Sequence, residues 1–349
     1  MNSDDVVLAA LSVSGEKALL EAGGVRTLLD TGKLEDIIKR PQGALKKLGL
    51  AAAENNLNRA EKCGAEILSI LNPAYPALLK EIPNPPLILF VRGKKECLNE
   101  FCIGIVGSRK SSRAGINIAA QIARDLARCG VTVVSGFAFG ADISAHLAAA
   151  ELGSTAAVLG SGFEHIYPKE HIKYLDKVCE NGCILTEFMP SELPAPYNFP
   201  KRNRIISGLS KGIIVCEASK KSGSLITARL ALEQNRDVFA VPASPSSFNN
   251  TANRLIKEGA VLTESYLDVI NEYKDIFADI CVKEDAPPYS PPEEHREVWE
   301  RLKTEPLSAD ELAQEVDYGK LILSITALEI EGVIERNAEG RYSVVKTHI

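Results

Sequence analysis

YNFPKRNRIISGLSKGIIVCEASKKSGSLITARLALEQNR, Tyr197 to Arg236, brings a cluster of cations, a continuous apolar strand and a small polar helix start within forty residues. Lys201, Arg202 and Arg204 bracket Asn203 just ahead of an apolar segment. Ile213-Ile214-Val215-Cys216 then reads as a fully buried strand, and Ser222-Gly223-Ser224 opens a helix. A Gly/Ser helix start at the carboxyl end of a parallel strand offers free backbone N–H groups and a positive dipole end to phosphate. The stretch therefore reads as an anion site on a parallel sheet, with the three cations ready to hold further phosphates.

The flanking sequence supplies the rest of that sheet. The pattern predicts strands at 102–106, 131–134, 155–159, 183–187, 213–217 and 238–241. Between them it predicts helices at 116–127 and 143–152, one ending near Tyr174, one near Ile205 and one over 224–234. Short apolar strands alternating with amphipathic helices specify an α/β fold, a Rossmann-like doubly wound parallel sheet. Ahead of it, residues 1 to about 70 show apolar spacings of three and four broken at Gly15, Gly23-Gly24, Gly32, Pro41 and Gly49, a bundle of four or five short helices. Asn72-Pro73, Tyr75-Pro76 and Pro83-Asn84-Pro85-Pro86 then break helix, and Leu87 to Val91 follows as a strand.

After the sheet, CVKEDAPPYSPP at 281–292 has the Pro-rich, acidic composition of a linker. Three helices and a hairpin follow, the plan of a winged helix, with a capping box at Ser308-Ala309-Asp310-Glu311. The expected domains are a SAM- or helix-hairpin-helix-like helical domain at 1–72, a Rossmann-like domain with its connector at 73–280, the linker, and a winged helix at 293–349. The helix in the recognition position, YGKLILSITALEIEG, carries one Lys and no Arg, poor material for reading a major groove and better suited to a protein contact or a structural role.

Composition narrows the class. The 349 residues are 45% hydrophobic and 25% charged, an ordinary globular balance. No run of eighteen apolar residues occurs, and Met1-Asn2-Ser3-Asp4-Asp5 is acidic where a secretory signal is basic, so the expectation is a cytoplasmic protein with no membrane partner. Eight scattered cysteines without a C-x-x-C pair point to reduced, buried thiols rather than to disulfides or zinc. The net charge of −6 argues against a nucleic-acid partner until it is divided. Residues 101–260 hold 18 Lys and Arg against 13 Asp and Glu, a net +5, and the remainder holds 22 against 33, a net −11. Only the middle has an electrostatic case for a polyanion.

Three further strand-end turns join the opening stretch. Gly104-Ile105-Val106-Gly107-Ser108-Arg109 lacks the G-x-G-x-x-G spacing, and the second strand ends Val134-Ser135-Gly136 without the carboxylate that holds a nicotinamide ribose. What remains is a nest of amides with Arg109 at its lip; the alternative is a turn that merely needs glycine. Ser135 to Asp142 adds Phe137 and Phe139, and Gly160 to Lys169 adds Phe163, Tyr167 and Lys169. Cations for the backbone and rings for the bases are what single-stranded nucleic acid needs, with Phe137, Phe139, Phe163, Tyr167 and Phe199 as candidate platforms. Against that stands the habit of strand-end rings to plug the sheet. No metalloprotease, P-loop or nucleophile-elbow motif is present, so no catalytic residue, metal ligand or cofactor is assigned. Asp142 reads as a helix cap, and Glu217 as a partner for Arg202 or Arg204 in the cleft.

Taken together, these motifs resemble the DprA/Smf family of bacterial DNA-processing proteins. The resemblance rests on Gly107-Ser108-Arg109, on Ser135-Gly136 with Gly140 and Asp142, and on Gly160 and Gly162 with Tyr167-Pro168-Lys169. It continues through Phe199-Pro200, Arg202 to Ser210, Ser222 to Ala228 and Val238 to Pro242. It departs from the family at Phe137, Ala141, Ala243 and Thr251. It implies a homodimer that binds single-stranded DNA without nucleotide, protects incoming strands during natural transformation and loads RecA, with no enzymatic turnover. By carry-over, Ser108, Arg109, Lys169, Lys201, Arg202 and Arg204 contact phosphates beside the Ser222-Gly223-Ser224 turn, and the helix of Leu255-Ile256 contributes to the dimer or RecA surfaces. The alternative is a phosphoribohydrolase of the lysine-decarboxylase-like family, but Arg229 and Leu230 stand where its catalytic Glu belongs.

Overall fold

The structure is a computed structural model, and it describes residues 3–14, 24–39, 50–219, 222–244, 251–277, 291–314, 316–337 and 340–344. The chain divides into two compact units, 1–272 and 273–349. Most of the expected linker, 281–290, lies outside the described residues.

The first unit is built on nine strands: β1 (Glu66–Ser69), β2 (Ile88–Gly93), β3 (Cys102–Val106), β4 (Thr132–Ser135), β5 (Thr155–Val158), β6 (Cys183–Thr186), β7 (Gly212–Val215), β8 (Asp237–Ala240) and β9 (Val261–Leu262). Their order is β1-β2-β6-β5-β4-β3-β7-β8-β9. The seven from β6 to β9 are parallel, while β2 runs antiparallel to β6 and β1 to β2. The parallel sheet is the Rossmann-like core expected from sequence. β3 to β7 are fully buried because helices cover both faces, which is why those strands read as unbroken apolar runs.

The helical reading of the first seventy residues holds for Ser3–Ser14, Gly24–Asp30, Lys33–Lys39 and Leu50–Lys62, and fails at Glu66–Ser69, which is strand β1. Gly64 explains the change. It sits at φ +73°, and the amide of Ala65 returns to the Ala60 carbonyl at 3.0 Å, a glycine-dependent helix stop. Ile67, Leu68, Ile70 and Leu71 then fit helical spacing by coincidence, while the chain runs extended along β2. Buried residues of these helices, Leu8, Leu28 and Leu57, share one hydrophobic core with Leu68, Leu89 and Phe90.

The second unit has helices Arg296–Thr304, Ala309–Leu312 and Tyr318–Ile330 and a three-stranded sheet, β10 (Leu307–Ser308), β11 (Ile334–Arg336) and β12 (Arg341–Val344), ordered β10-β12-β11. Its separate core is centred on Val298, Trp299, Leu321, Ile325 and Leu328. The capping box forms: Ser308 Oγ accepts from the Glu311 amide, and the Glu311 carboxylate accepts from the Ser308 amide at 2.7 Å.

Candidate nucleic-acid interface

The chain leaves β3 toward β4, β5 and β6 on one side and then places β7 and β8 on the other, so the order reverses between β3 and β7. Ligands of open α/β sheets bind outside the carboxyl ends of the strands at such a point. Val106 and Val215 are register partners there, Cys216 N donates to the Val106 carbonyl at 3.0 Å, and a Cβ on Gly107 would lie 3.6 Å from Glu217 N, so the two strand ends stay together where Ser108 and Arg109 begin the cleft. Glu217 secures one wall. Its carboxylate accepts from the Ser112 amide at 2.8 Å and the Ser112 hydroxyl at 2.6 Å, and Ser112 Oγ in turn accepts from Gly115 N at 3.0 Å, capping the helix Arg113–Arg128. A negative charge is well placed at that helix start. Glu217 thus binds the capping serine, in place of the pairing with Arg202 or Arg204 expected from sequence.

Arg202 forms the floor. Pro200 stands in the first turn of helix Asn198–Leu209, where a missing N–H costs nothing, so the helix begins ahead of the cations and carries Arg202 inward. Only 3% of the residue is exposed. Nη1 donates to the Gly136 carbonyl at 2.5 Å and to the Val158 carbonyl, and Nε donates to Asn203 Oδ1 at 3.2 Å. One guanidinium therefore ties the ends of β4 and β5 to the helix. Burial lowers its pKa to about 10, against the opposing pull of Asp142. Burial likewise raises the Asp142 carboxyl, and Arg202 and the amides of Ala138 and Gly136 work against that rise. Gly136 makes room for the two charges to approach, since a Cβ there would lie 2.6 Å from Arg202 Nη2 and 2.7 Å from Asp142 Oδ2. Asp142 is not the helix cap; Gly140 holds that position, and the carboxylate is inside the first turn of Ala141–Ala149.

The cleft above this floor encloses about 680 Å³ and is lined by Ser108, Arg109, Lys110, Tyr167, Phe199 and the Ser222-Gly223-Ser224 turn, among others. Arg109 is exposed, with its guanidinium carbon 4.8 Å from the Phe199 ring centre, and the Tyr167 ring lies 5.8 Å from Phe199. Ser222 Oγ accepts from Ser224 N at 3.4 Å to start helix Gly223–Glu233, and Asn203 Nδ2 donates to the Gly223 carbonyl at 3.3 Å, fixing that start against the floor helix. Gly223 is exposed and open space surrounds it. Lys110 lines the same cleft; only its adjacency to Arg109 marks it in the sequence.

The remaining candidates divide. Phe137 is fully buried at φ +58°, its ring against His146 at 5.9 Å and His171 at 5.5 Å, and Phe163 is 7% exposed, so these two rings pack the core rather than offering platforms. Phe139 and Tyr167 remain 39% and 41% exposed at the rim. Arg204 turns away from the cleft: it pairs with Glu187 and donates to the Asn84 carbonyl at 2.7 Å. Lys201 shares that outward face, exposed, with Nζ 5.9 Å from the Phe188 ring, beside Asn84, Pro85 and Pro86. Lys169 is exposed in the 3-10 stretch Lys169–Tyr174 and does not line the cleft. The three-cation cluster of the sequence is therefore split over two faces of one helix. Among the described residues, no group of His, Cys, Asp and Glu is placed to hold a metal, and no helix is long and apolar enough to cross a membrane.

An exposed cation on an aromatic rim, the positive end of a helix with an open glycine at its start and a buried cation beneath them can hold a phosphate chain and stack its bases. The chain is similar to known proteins in both sequence and structure. The chain is 40% identical over 208 residues to the DNA processing protein DprA of Streptococcus pneumoniae, covering 59% of this chain and 73% of that one. It is also 40% identical over 212 residues to the DprA of Bacillus subtilis, covering 60% and 71%. The crystal structure of the S. pneumoniae protein superposes with a TM-score of 0.65 at 33% identity, over 78% of this chain and 98% of that one. DNA processing protein A of Helicobacter pylori, whose structure describes a single-stranded DNA binding mode, superposes with a TM-score of 0.55 at 28% identity, over 61% and 98%. The model of the DNA recombination-mediator protein A family matches residues 66–274, and the chain belongs to that family.

Proposed function

We propose that this chain binds single-stranded DNA in the cleft between β3 and β7, protects the strand, and loads RecA on it during natural transformation and recombination, without catalytic turnover. The observation that carries the reading is the convergence of Arg109, Phe199, Tyr167 and the Ser222–Ser224 helix start on one cleft at the switch point. The single-stranded DNA binding mode of the H. pylori relative supports it. Arg109 and Lys110 meet phosphates at the rim, Arg202 adds charge from below, and Tyr167, Phe199 and Phe139 take bases. Lys201 serves outside the cleft, where a longer strand passes over the outer face of helix Asn198–Leu209; Arg204 holds that face through its pair with Glu187, and Lys169 meets phosphate from its own turn. The protein works in the cytoplasm.

A homodimer forms through an apolar groove of about 1080 Å³ between helices Gly223–Glu233 and Ala252–Lys257, which includes Leu225, Leu232, Leu255, Ile256 and Leu262. Leu232 and Leu262 are 61% and 46% exposed in the single chain, apolar area that a second copy removes from water. The helical segment 1–72 and the winged-helix-like unit are accessory to the DNA site.

The experiment is anisotropy of a labelled oligonucleotide, single-stranded against duplex of equal length, across a salt series without nucleotide or metal. Preferential single-strand binding with a steep salt slope supports the reading. Absence of binding at low salt overturns it and turns attention to cleavage of nucleoside monophosphates, the phosphoribohydrolase alternative.

A further inference from the structure

Helix Tyr318–Ile330 of the second unit has two apolar faces. Leu321, Ser324, Ile325 and Leu328 turn inward to that unit's core. On the other side Tyr318, Ile322, Leu323 and Ile330 are 65%, 43%, 69% and 81% exposed. At about 100° per residue these four fall within one arc of roughly 140°, shared only with Gly319, Thr326 and Glu329. Single exposed apolar side chains need no explanation, but four on one face of one helix, with Thr326 between Leu323 and Ile330, form an apolar stripe about three turns long.

Charge decides what fits there. Residues 273–349 carry 9 Lys and Arg against 17 Asp and Glu, a net −8, and the helix itself has Lys320 as its one cation. Asp317 and Glu329 are exposed at its two ends, and Glu335 is exposed on the adjoining strand β11. A polyphosphate meets repulsion across this surface, and a second copy would bring the same −8 against it. An apolar stripe with carboxylates at both ends, on a unit of net charge −8, complements an amphipathic helix with Lys and Arg along its margins. We propose that the exposed face of Tyr318–Ile330 docks a basic amphipathic helix of another protein. The contact is independent of the DNA cleft and its failure leaves that reading untouched.

The test uses the full chain and a labelled amphipathic Leu/Lys peptide, with a Leu/Glu peptide of the same pattern and a scrambled Leu/Lys peptide as comparisons. The amphipathic basic peptide is expected to bind, to weaken as salt rises, and to lose about tenfold or more in affinity for the Ile322→Ser/Leu323→Ser variant, with thermal unfolding unchanged since both side chains are exposed. Glu329→Lys with Glu335→Lys is expected to weaken the same peptide and to strengthen the acidic one. Equal binding of the scrambled peptide, unchanged binding by the serine variant, or preference for the Leu/Glu peptide would each overturn the proposal. So would conversion of a dimer to a monomer by the serine variant in sedimentation equilibrium, which would assign the face to a second copy.

Discussion

Arg109 and Arg202 sit within one cleft, yet truncating them should do different things. Arg109→Ala removes an exposed guanidinium that packs on Phe199 and touches nothing the fold depends on. Its stability effect should stay within about 0.5 kcal/mol. Loss of one charge-assisted phosphate contact should weaken single-strand binding by roughly 1 to 3 kcal/mol, about 5- to 150-fold. The slope of log K against log salt should fall by about 0.7, the increment of one phosphate on a single strand. Arg202→Ala strips the donors from the Gly136 and Val158 carbonyls and leaves buried Asp142 without its nearest cation. Removing one partner from such a buried arrangement costs about 3 to 5 kcal/mol of stability. Urea unfolding followed by oligonucleotide anisotropy on the folded fraction separates the two effects. Unchanged affinity and slope in Arg109→Ala would refute the cleft as the path of the strand. An unchanged urea midpoint in Arg202→Ala would refute its role as the tie between β4, β5 and the floor helix.

The same logic divides the rings: Tyr167→Ala and Phe199→Ala should each cost about 1 to 3 kcal/mol in single-strand affinity, with little loss of stability for the exposed Tyr167 and a measurable one for Phe199, which packs on Gly160, whereas Phe137→Ala should cost about 3 to 5 kcal/mol of stability as a core truncation, all read from urea melts and anisotropy. Burial lowers the His146 pKa from 6.5 to about 3; the unfolded chain therefore binds the proton first, so the stability this group confers is full above pH 6.5 and is lost as pH falls toward 3. His146→Gln should flatten the acid side of the pH–stability curve by up to about 1.4 kcal/mol per unit, and an unaltered slope would show that His146 is not the sensing group. Deleting 285–349, which carries 7 Lys and Arg against 14 Asp and Glu, should leave single-strand affinity intact or slightly raised; a marked loss would make the second unit a primary DNA site.

Most of the sheet is legible because strands buried on both faces must be continuously apolar, and nothing else of that length between helices has to be. β1 is not legible by periodicity, since Ile67, Leu68, Ile70 and Leu71 satisfy a helix as well as a strand; the signal that could have placed it is Gly64, a helix stop two residues after Lys62. β9 is two residues long and carries too little pattern to be read. The site is half legible for a related reason. Glycines, serines and Arg109 announce themselves at strand ends, where topology forces them together. Which way a side chain points depends on where its helix begins, and Pro200 hides that start.

Taking Pro200 as a break leaves Lys201, Arg202 and Arg204 as one loop cluster. Placing it in the first turn, where proline is tolerated, puts 199, 202, 203 and 206 on the cleft face and 201 and 204 on the other. The aromatic candidates follow a similar division. Phe137 lies two residues past β4, where the chain is still descending into the packed layer and a ring has nowhere to go but the core; Phe139 and Tyr167 lie further along their turns and reach the rim. Phe163, five residues past β5, is buried all the same, while Phe139, four past β4, is exposed, so what packs over each turn, rather than residue type or distance from the strand end, separates a ring that stabilises the sheet from a ring that is free to meet a base.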